Sequence, residues 1–346
     1  MGEIWTGSMS GAPWTTEKIE NAVKHLRKRA TVAFVAGVDK LDDLARLDTE
    51  LLAKRPDLIL SVSNSDSKSR YPEEILTALS GLRHVFALQL DLNHSQHLDR
   101  LSALERMDFL VINSKKELSL EFINSYKQLR YLRLSGKFAS LSPITGCSTL
   151  ESLVLNCAIA GLDFVASLPS LRDLLIDSCT LEEGSLAALS DSSVSILSLS
   201  AIRNLTNLDE LRLLRNLAFL QIAQPKVQRL FDFSKLERLR QLELVYMKGL
   251  KEIDLLWTAN TLEYLELKEI NSGIKADDFR RLTEMEHLRQ LDFRFIDFNK
   301  GRIAALQKMM LEAGREGVLI ENIPEDEHIR SLAQQQAAKH LLGEKP

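Results

Sequence analysis

Apolar residues return along this chain in a fixed phrase. Leu239 to Met247 reads LRQLELVYM and Leu288 to Ile296 reads LRQLDFRFI, each an L-x-x-L-x-L/F run closed by x, an aromatic and an apolar residue. With apolar swaps the phrase occurs ten times. Its middle apolar residue falls at Leu88, Leu110, Leu132, Leu153, Leu174, Leu197, Leu220, Leu242, Leu265 and Leu291, in steps of 22, 22, 21, 21, 23, 23, 22, 23 and 26. An amphipathic helix does not hold such a register over two hundred residues, so the period marks an internal repeat. Within each phrase the key apolar residues alternate, as Leu153 and Leu155 do in TLESLVLNC. Alternation at period 2 puts them on one face of a short strand.

The flanks read as longer versions of the same unit. Residues 15–29 predict a helix with Thr15 or Thr16 as N-cap, 31–38 a strand, 41–54 a helix, 57–63 a strand, and 72–82 a helix entered at Pro72. At the far end, residues 302–317 predict a helix, GVLIEN a final strand, and 324–342 a terminal helix over the last open edge. The division is a cap helix with two long helix–strand repeats over 1–80, ten repeats over 81–300, and a helix–strand–helix cap over 301–346. Repeat arrays need such caps because a bare end exposes core and unpaired strand.

The phrases LRYLRLSG, LESLVLNC, LRDLLIDSC, LAFLQIAQ, LRQLELVY, LEYLELKE and LRQLDFRF resemble the leucine-rich repeat family over about residues 80 to 300. The resemblance implies an α/β leucine-rich-repeat solenoid, a horseshoe with a concave parallel β-sheet, short convex helices and turns, and helical caps at both ends. The family's asparagine, whose side chain serves the turn, is mostly missing. That column reads Asn93, Lys115, Lys137, Ala158, Cys179, Ile202, Pro225, Met247, Ile270 and Ile296. The turns are therefore expected to satisfy their backbone groups by other means.

Composition narrows the class. The chain has 346 residues, 45% hydrophobic and 27% charged, the balance of a folded protein. A net charge of −4 without a basic block argues against a nucleic-acid partner. No apolar run reaches the length of a membrane span, and the N-terminus lacks the basic and apolar regions of a secretory signal. Cys147, Cys157 and Cys179 are too few for a disulfide framework or a zinc ligand set, are expected as thiols, and suit a reducing, cytoplasmic setting.

Chemical signals are weak. Asp91, His94, His97 and Asp99 lie within nine residues, but a polar loop explains them better than a metal site. No phosphate-binding, dinucleotide-binding, zincin or nucleophile-elbow stretch appears. No catalytic residue, metal or cofactor is expected. The informative residues are those between the strand leucines, which the pattern turns outward. They are small or apolar through the middle repeats: Ser152, Val154, Asn156, Leu175, Ile196, Ser198, Ser200 and Ala223. Toward the C-terminus they become large and charged: Gln241, Glu243, Tyr246, Tyr264, Glu266, Lys268, Gln290, Asp292, Arg294 and Phe295. Phe109, Tyr131 and Phe219 add aromatics from earlier strands. Aromatic and arginine side chains anchor interfaces, so Tyr246, Tyr264 and Phe295, with Phe219 and Tyr131, are read as the partner-binding centre within a charged surround.

The expectation is a non-enzymatic scaffold holding another protein on its concave face, such as an inhibitor of the kind that a toxin-neutralising bacterial immunity protein represents. An adaptor that recruits a substrate to an enzyme complex is the alternative, its second surface drawn from residues 1–30 with Trp5 and Trp14. An enzyme with an unrecognised site is the third reading. The oligomeric state is open.

Overall fold

A computed structural model of the protein describes residues 6–11, 13–297 and 300–343. The chain divides into two compact units: residues 1–158, 167–171 and 336–346 form the first, and residues 159–166 and 172–335 the second.

In the first unit seven strands pair in parallel and in chain order: β1 (Thr6–Met9), β2 (Leu26–Ala36), β3 (Ile59–Asn64), β4 (Ala87–Leu92), β5 (Phe109–Leu118), β6 (Tyr131–Phe138) and β7 (Ser152–Cys157). Val32, Leu60, Leu88, Leu110, Leu132 and Leu153 are direct register partners from strand to strand, all fully buried. The second unit pairs β8 (Asp173–Asp177), β9 (Ile196–Ser200), β10 (Phe219–Ala223), β11 (Gln241–Val245), β12 (Tyr264–Lys268) and β13 (Gln290–Asp292) in the same way. Its ladder runs Leu174, Leu197, Leu220, Leu242, Leu265 and Leu291. Each unit thus has leucine-rich-repeat architecture, and the ten leucines predicted from the period are its core column.

Repeat length decides what crosses the opposite face. Steps of 28 residues, from Val32 to Leu60 and from Leu60 to Leu88, leave room for α2 (Leu41–Arg46, continued by a wider turn over Leu47–Leu52) and α3 (Glu73–Ser80). Steps near 22 leave room only for tight 3-10 turns such as Asp99–Ala103, Glu121–Ser125 and Asp209–Leu213. α1 (Thr16–His25) is capped by Thr15, whose hydroxyl accepts from Lys18 N. It stops four residues before the predicted end, because Leu26–Arg29 joins β2, which pairs at Leu26, Thr31 and Val32 with β1, a strand the pattern did not reveal.

The missing asparagines have two structural replacements. In the second unit Ser178, Ala201, Tyr246 and Glu269 adopt left-handed backbone (φ 53, 49, 54 and 49°). That reversal turns the next side chain inward, and Cys179, Ile202, Met247 and Ile270 are buried. In the first unit the inward column lies one residue earlier, at the buried Leu92, Ser114 and Cys157, with Gly136 the register partner between Ser114 and Cys157. Lys115, Lys137 and Ala158 are exposed, so the asparagine column is displaced there.

The C-terminal region departs most from expectation. α4 (Lys300–Glu312) forms, but GVLIEN makes two 3-10 turns and a single bridge from Leu319 to Leu291 in place of a strand. α4 is tied to the second unit by Arg302, which is buried, donates to the carbonyls of Asn271 and Ile274 at 2.9 and 2.6 Å, and pairs with Asp297 at 3.4 Å. The terminal helix is shorter than predicted, α5 (Leu332–Leu341), with residues 332–335 in the second unit and 336–341 in the first. The stretch before it lies on side chains of the sheet face, from Gln241 of β11 to Gln290 of β13.

Candidate partner-binding surface

In the second unit the side chains at the strand starts and centres face away from the leucine core. Gln241, Tyr264 and Gln290 are register partners in one column; Glu243, Glu266 and Asp292 are partners in the next. The pattern expects all of these to be exposed. Instead Gln241, Glu243, Tyr264, Gln290 and Asp292 are buried and Glu266 is half-buried.

The chain's own residues 329–332 cover them. Ile329 N donates to Gln290 Oε1 at 2.7 Å, and Gln290 Nε2 donates to Ile329 O at 3.5 Å. Gln241 Nε2 donates to Arg330 O at 3.1 Å and its Oε1 accepts from Leu332 N at 2.8 Å. Ser331, 4% exposed, sits over Glu243.

Burial and the neighbouring Glu266 raise the Glu243 carboxyl above the usual range, against hydrogen bonds from Ser331 and Gln221 that lower it. Gln221 Nε2 donates to Glu243 Oε2 at 2.7 Å. The Ser331 hydroxyl comes near Glu243 without completing a hydrogen bond: Glu243 Oε1 and Ser331 Oγ are both buried and lack a partner at hydrogen-bond geometry. Tyr264 donates to Glu266 at 2.9 Å, and burial among carboxylates pushes its phenol well up. Asp292 is held by Arg294 at 2.8 Å.

Two of the predicted aromatics do reach solvent. Tyr246 is 45% exposed and Phe295 48%, the only aromatic side chains classed as exposed among the described residues. Both lie just past the strand ends, where the chain turns. Tyr246 N donates to Lys268 O and Glu269 N to Phe295 O, so the two rings flank the β12 end. Two strand spacings put their backbones roughly 10 Å apart. Lys268 Nζ and the Arg294 guanidinium each lie 5.7 Å from the Phe295 ring centroid, and Lys248 pairs with Glu269 at 3.2 Å. Phe219 is fully buried between its register partners Ile196 and Gln241. Tyr264 is a buried post under the covering segment, so its truncation lowers stability.

In the first unit the outward column is also covered. Phe109 and Tyr131 stack at 4.6 Å, Arg29 lies over Phe109, and His340 lies 5.5 Å from Tyr131. Lys339 pairs with Glu151, and His340 Nε2 is 3.7 Å from the same carboxylate. Burial and the Lys339 charge push the His340 imidazole down to about 4, against Glu151. The nearby Arg29–Asp108 pair, at 3.1 Å, contributes in both directions. A depressed histidine contributes stability that is complete above its unfolded value near 6.5 and fades as pH falls through that value toward 4. About 3 kcal/mol is at stake for the docked end of α5. Hydrogen exchange at residues 336–343, corrected for intrinsic rates, is expected to lose protection between pH 7.5 and pH 5.0. His340→Phe keeps the ring contact without the proton and should flatten that change. An unchanged pH response in the variant would mean that His340 is not its source.

The remaining candidates bear no cluster. Asp91 accepts from Asn113 at 2.6 Å and from Gln89 at 3.2 Å, while His97 and Asp99 are exposed. Among the described residues no group of three His, Cys, Asp or Glu is placed to hold a metal ion. Cys147, Cys157 and Cys179 are buried, and burial pushes the Cys147 and Cys179 thiols up to about 11. Trp14 is fully buried, with its amide donating to Asp43 at 2.9 Å, so it offers no second surface; Trp5 lies outside the described residues. No helix among the described residues is long and apolar enough to cross a membrane.

No protein-family model and no curated protein matches the chain. Solved structures similar to it include an internalin from Listeria monocytogenes, at 15% identity and a TM-score of 0.40 over 79% of this chain and 88% of that one. A leucine-rich-repeat protein of Leptospira interrogans is similar at 15% identity and 0.44 over 88% and 92%. A Toll-like receptor 13 complex with single-stranded RNA is similar at 15% and 0.40 over 82% and 54%. Likeness at this level carries no functional argument. The repeat architecture rests on the leucine register and the turns of this chain.

Proposed function

We propose that this leucine-rich-repeat protein is a non-enzymatic scaffold that holds a partner protein at the strand-end edge of its second unit. The observation that carries the reading is the pair of exposed rings, Tyr246 and Phe295, on either side of the β12 end, ringed by Lys248, Lys268, Glu269 and Arg294. Aromatic anchors within a charged rim are the arrangement in which a few side chains supply most of the binding energy. The rings bury little in the protein itself, so their exposure is not repaid by folding. The finer reading is an inhibitor that acts by masking its partner, as a toxin-neutralising immunity protein would.

The test is comparative capture. A partner retained by the wild-type chain should be lost from a Tyr246→Ala, Phe295→Ala double variant, with affinity weaker by about 2 kcal/mol or more in calorimetry. Thermal stability should stay nearly constant, because both rings are about half exposed. Equal binding by the folded double variant moves the site off this edge. If the partner is bound but keeps its activity, the inhibitor reading fails while the scaffold reading stands.

A further inference from the structure

The sheet face of the second unit carries an arrangement that folding alone does not require. Gln290 and Gln241, one on each side of β12, reach the main chain of residues 329–332 through both ends of their carboxamides. Four backbone groups are engaged: N–H and C=O of Ile329, C=O of Arg330 and N–H of Leu332. Such contacts recognise an extended main chain and are indifferent to side-chain identity. Only Ser331 is buried between Pro324 and Leu332, so little apolar area fixes the stretch in place.

The occupant also fits its site incompletely. Beneath Ser331 lies the in-register column Glu243, Glu266 and Asp292. Arg294 neutralises Asp292. Glu266 accepts the Tyr264 hydroxyl and lies within the field of Arg294, whereas no cation is paired with Glu243 among the described residues. Glu243 Oε1 and Ser331 Oγ each remain buried without a hydrogen-bond partner. A buried carboxylate in that state is costly, and a positive donor would relieve it.

We infer that the sheet face of the second unit is a groove for an extended peptide of a partner protein that presents a lysine where Ser331 now sits, and that residues 329–332 fill this groove in cis as a replaceable occupant. The two glutamines supply register, and Glu243, the member of the acidic column without a cation, supplies the preference for one. This groove lies on the sheet face, whereas the Tyr246–Phe295 pair lies at the strand ends; Arg294 borders both.

The proposal is tested on the full chain in two ways. Hydrogen exchange on the wild type should show residues 329–332 opening locally, at least a hundredfold faster than β11 and β12. Exchange of 329–332 only on global unfolding would overturn the proposal, since the segment would then be an integral part of the fold.

The second arm opens the groove. Ser331→Asp sets a carboxylate against Glu243 and should release the segment. Where that variant lacks native protection in β11 and β12, Leu332→Pro serves instead. It removes the amide that Gln241 accepts from, at the first residue of α5, where proline is tolerated. A fluorescent peptide spanning residues 326–335 with lysine in place of Ser331 should bind the opened chain. It should bind at least tenfold more tightly than the peptide with serine, and lose that advantage in a chain that also carries Glu243→Gln. No binding of either peptide, or equal binding of both, overturns the inference.

Discussion

Leu242→Asp is expected to abolish the fold of the second unit. Leu242 is fully buried and is the direct register partner of Leu220 on one side and Leu265 on the other. A carboxylate there meets leucines above and below and no hydrogen-bond donor. Taking a charge out of water without a partner costs several kcal/mol, on top of the roughly 2–5 kcal/mol lost when a buried leucine is cut to alanine. Folded domains are held by only about 5–15 kcal/mol. Leu242→Ala should therefore leave a folded but weakened chain, and Leu242→Asp should lose the strand signal in circular dichroism. The same contrast applies to Leu153 in the first unit and to Leu174 in the second, both fully buried on the same core column. A native spectrum from the aspartate variant at Leu242 would show that the repeat register is wrong.

Gly136→Ala should weaken the first unit by about 3–5 kcal/mol, a large effect for one methyl group. Gly136 has φ +116°, outside the range side-chain-bearing residues adopt readily. A Cβ there would lie 1.8 Å from Ser114 O and 2.8 Å from Ser114 C. Those atoms belong to β5, which is hydrogen-bonded to strands on both sides, so they cannot step aside as a flexible side-chain tip would. Gly314→Ala is the control, with φ +67° and nothing within 4 Å of the added atom. It should cost only about 1 kcal/mol, from backbone conformation alone. Urea unfolding of the two variants separates the effects. Equal losses would mean that the close approach of β6 to β5 is not rigid.

The repeat itself was written in the sequence. A column of leucines must be buried, a short strand must alternate, and a step near 22 residues leaves no room for a full helix between strands. So strand positions, core column and turn face follow from spacing alone. Exposure of Tyr246 and Phe295 also follows, since both fall beyond the last inward residue of their strands.

The burial of Tyr131, Gln241, Glu243, Tyr264 and Asp292 did not follow. Local pattern says which way a side chain points from its own strand, but not what arrives on top of it. The segment over Gln241 and Gln290 comes from about 90 and 40 residues away in sequence, respectively, through backbone groups that every residue shares. The sole hint was two glutamines in a column otherwise filled by Asp173, Ile196, Phe219 and Tyr264. The asparagine column was misplaced for a related reason. Whether a turn sends residue 179 or residue 157 inward depends on a left-handed backbone at the residue before it, and serine, alanine, tyrosine and glutamate do not announce that conformation in sequence. Periodicity fixed what each strand must bury; only the tertiary structure decided which of its remaining side chains meet water, because that depends on contacts between segments distant in the chain.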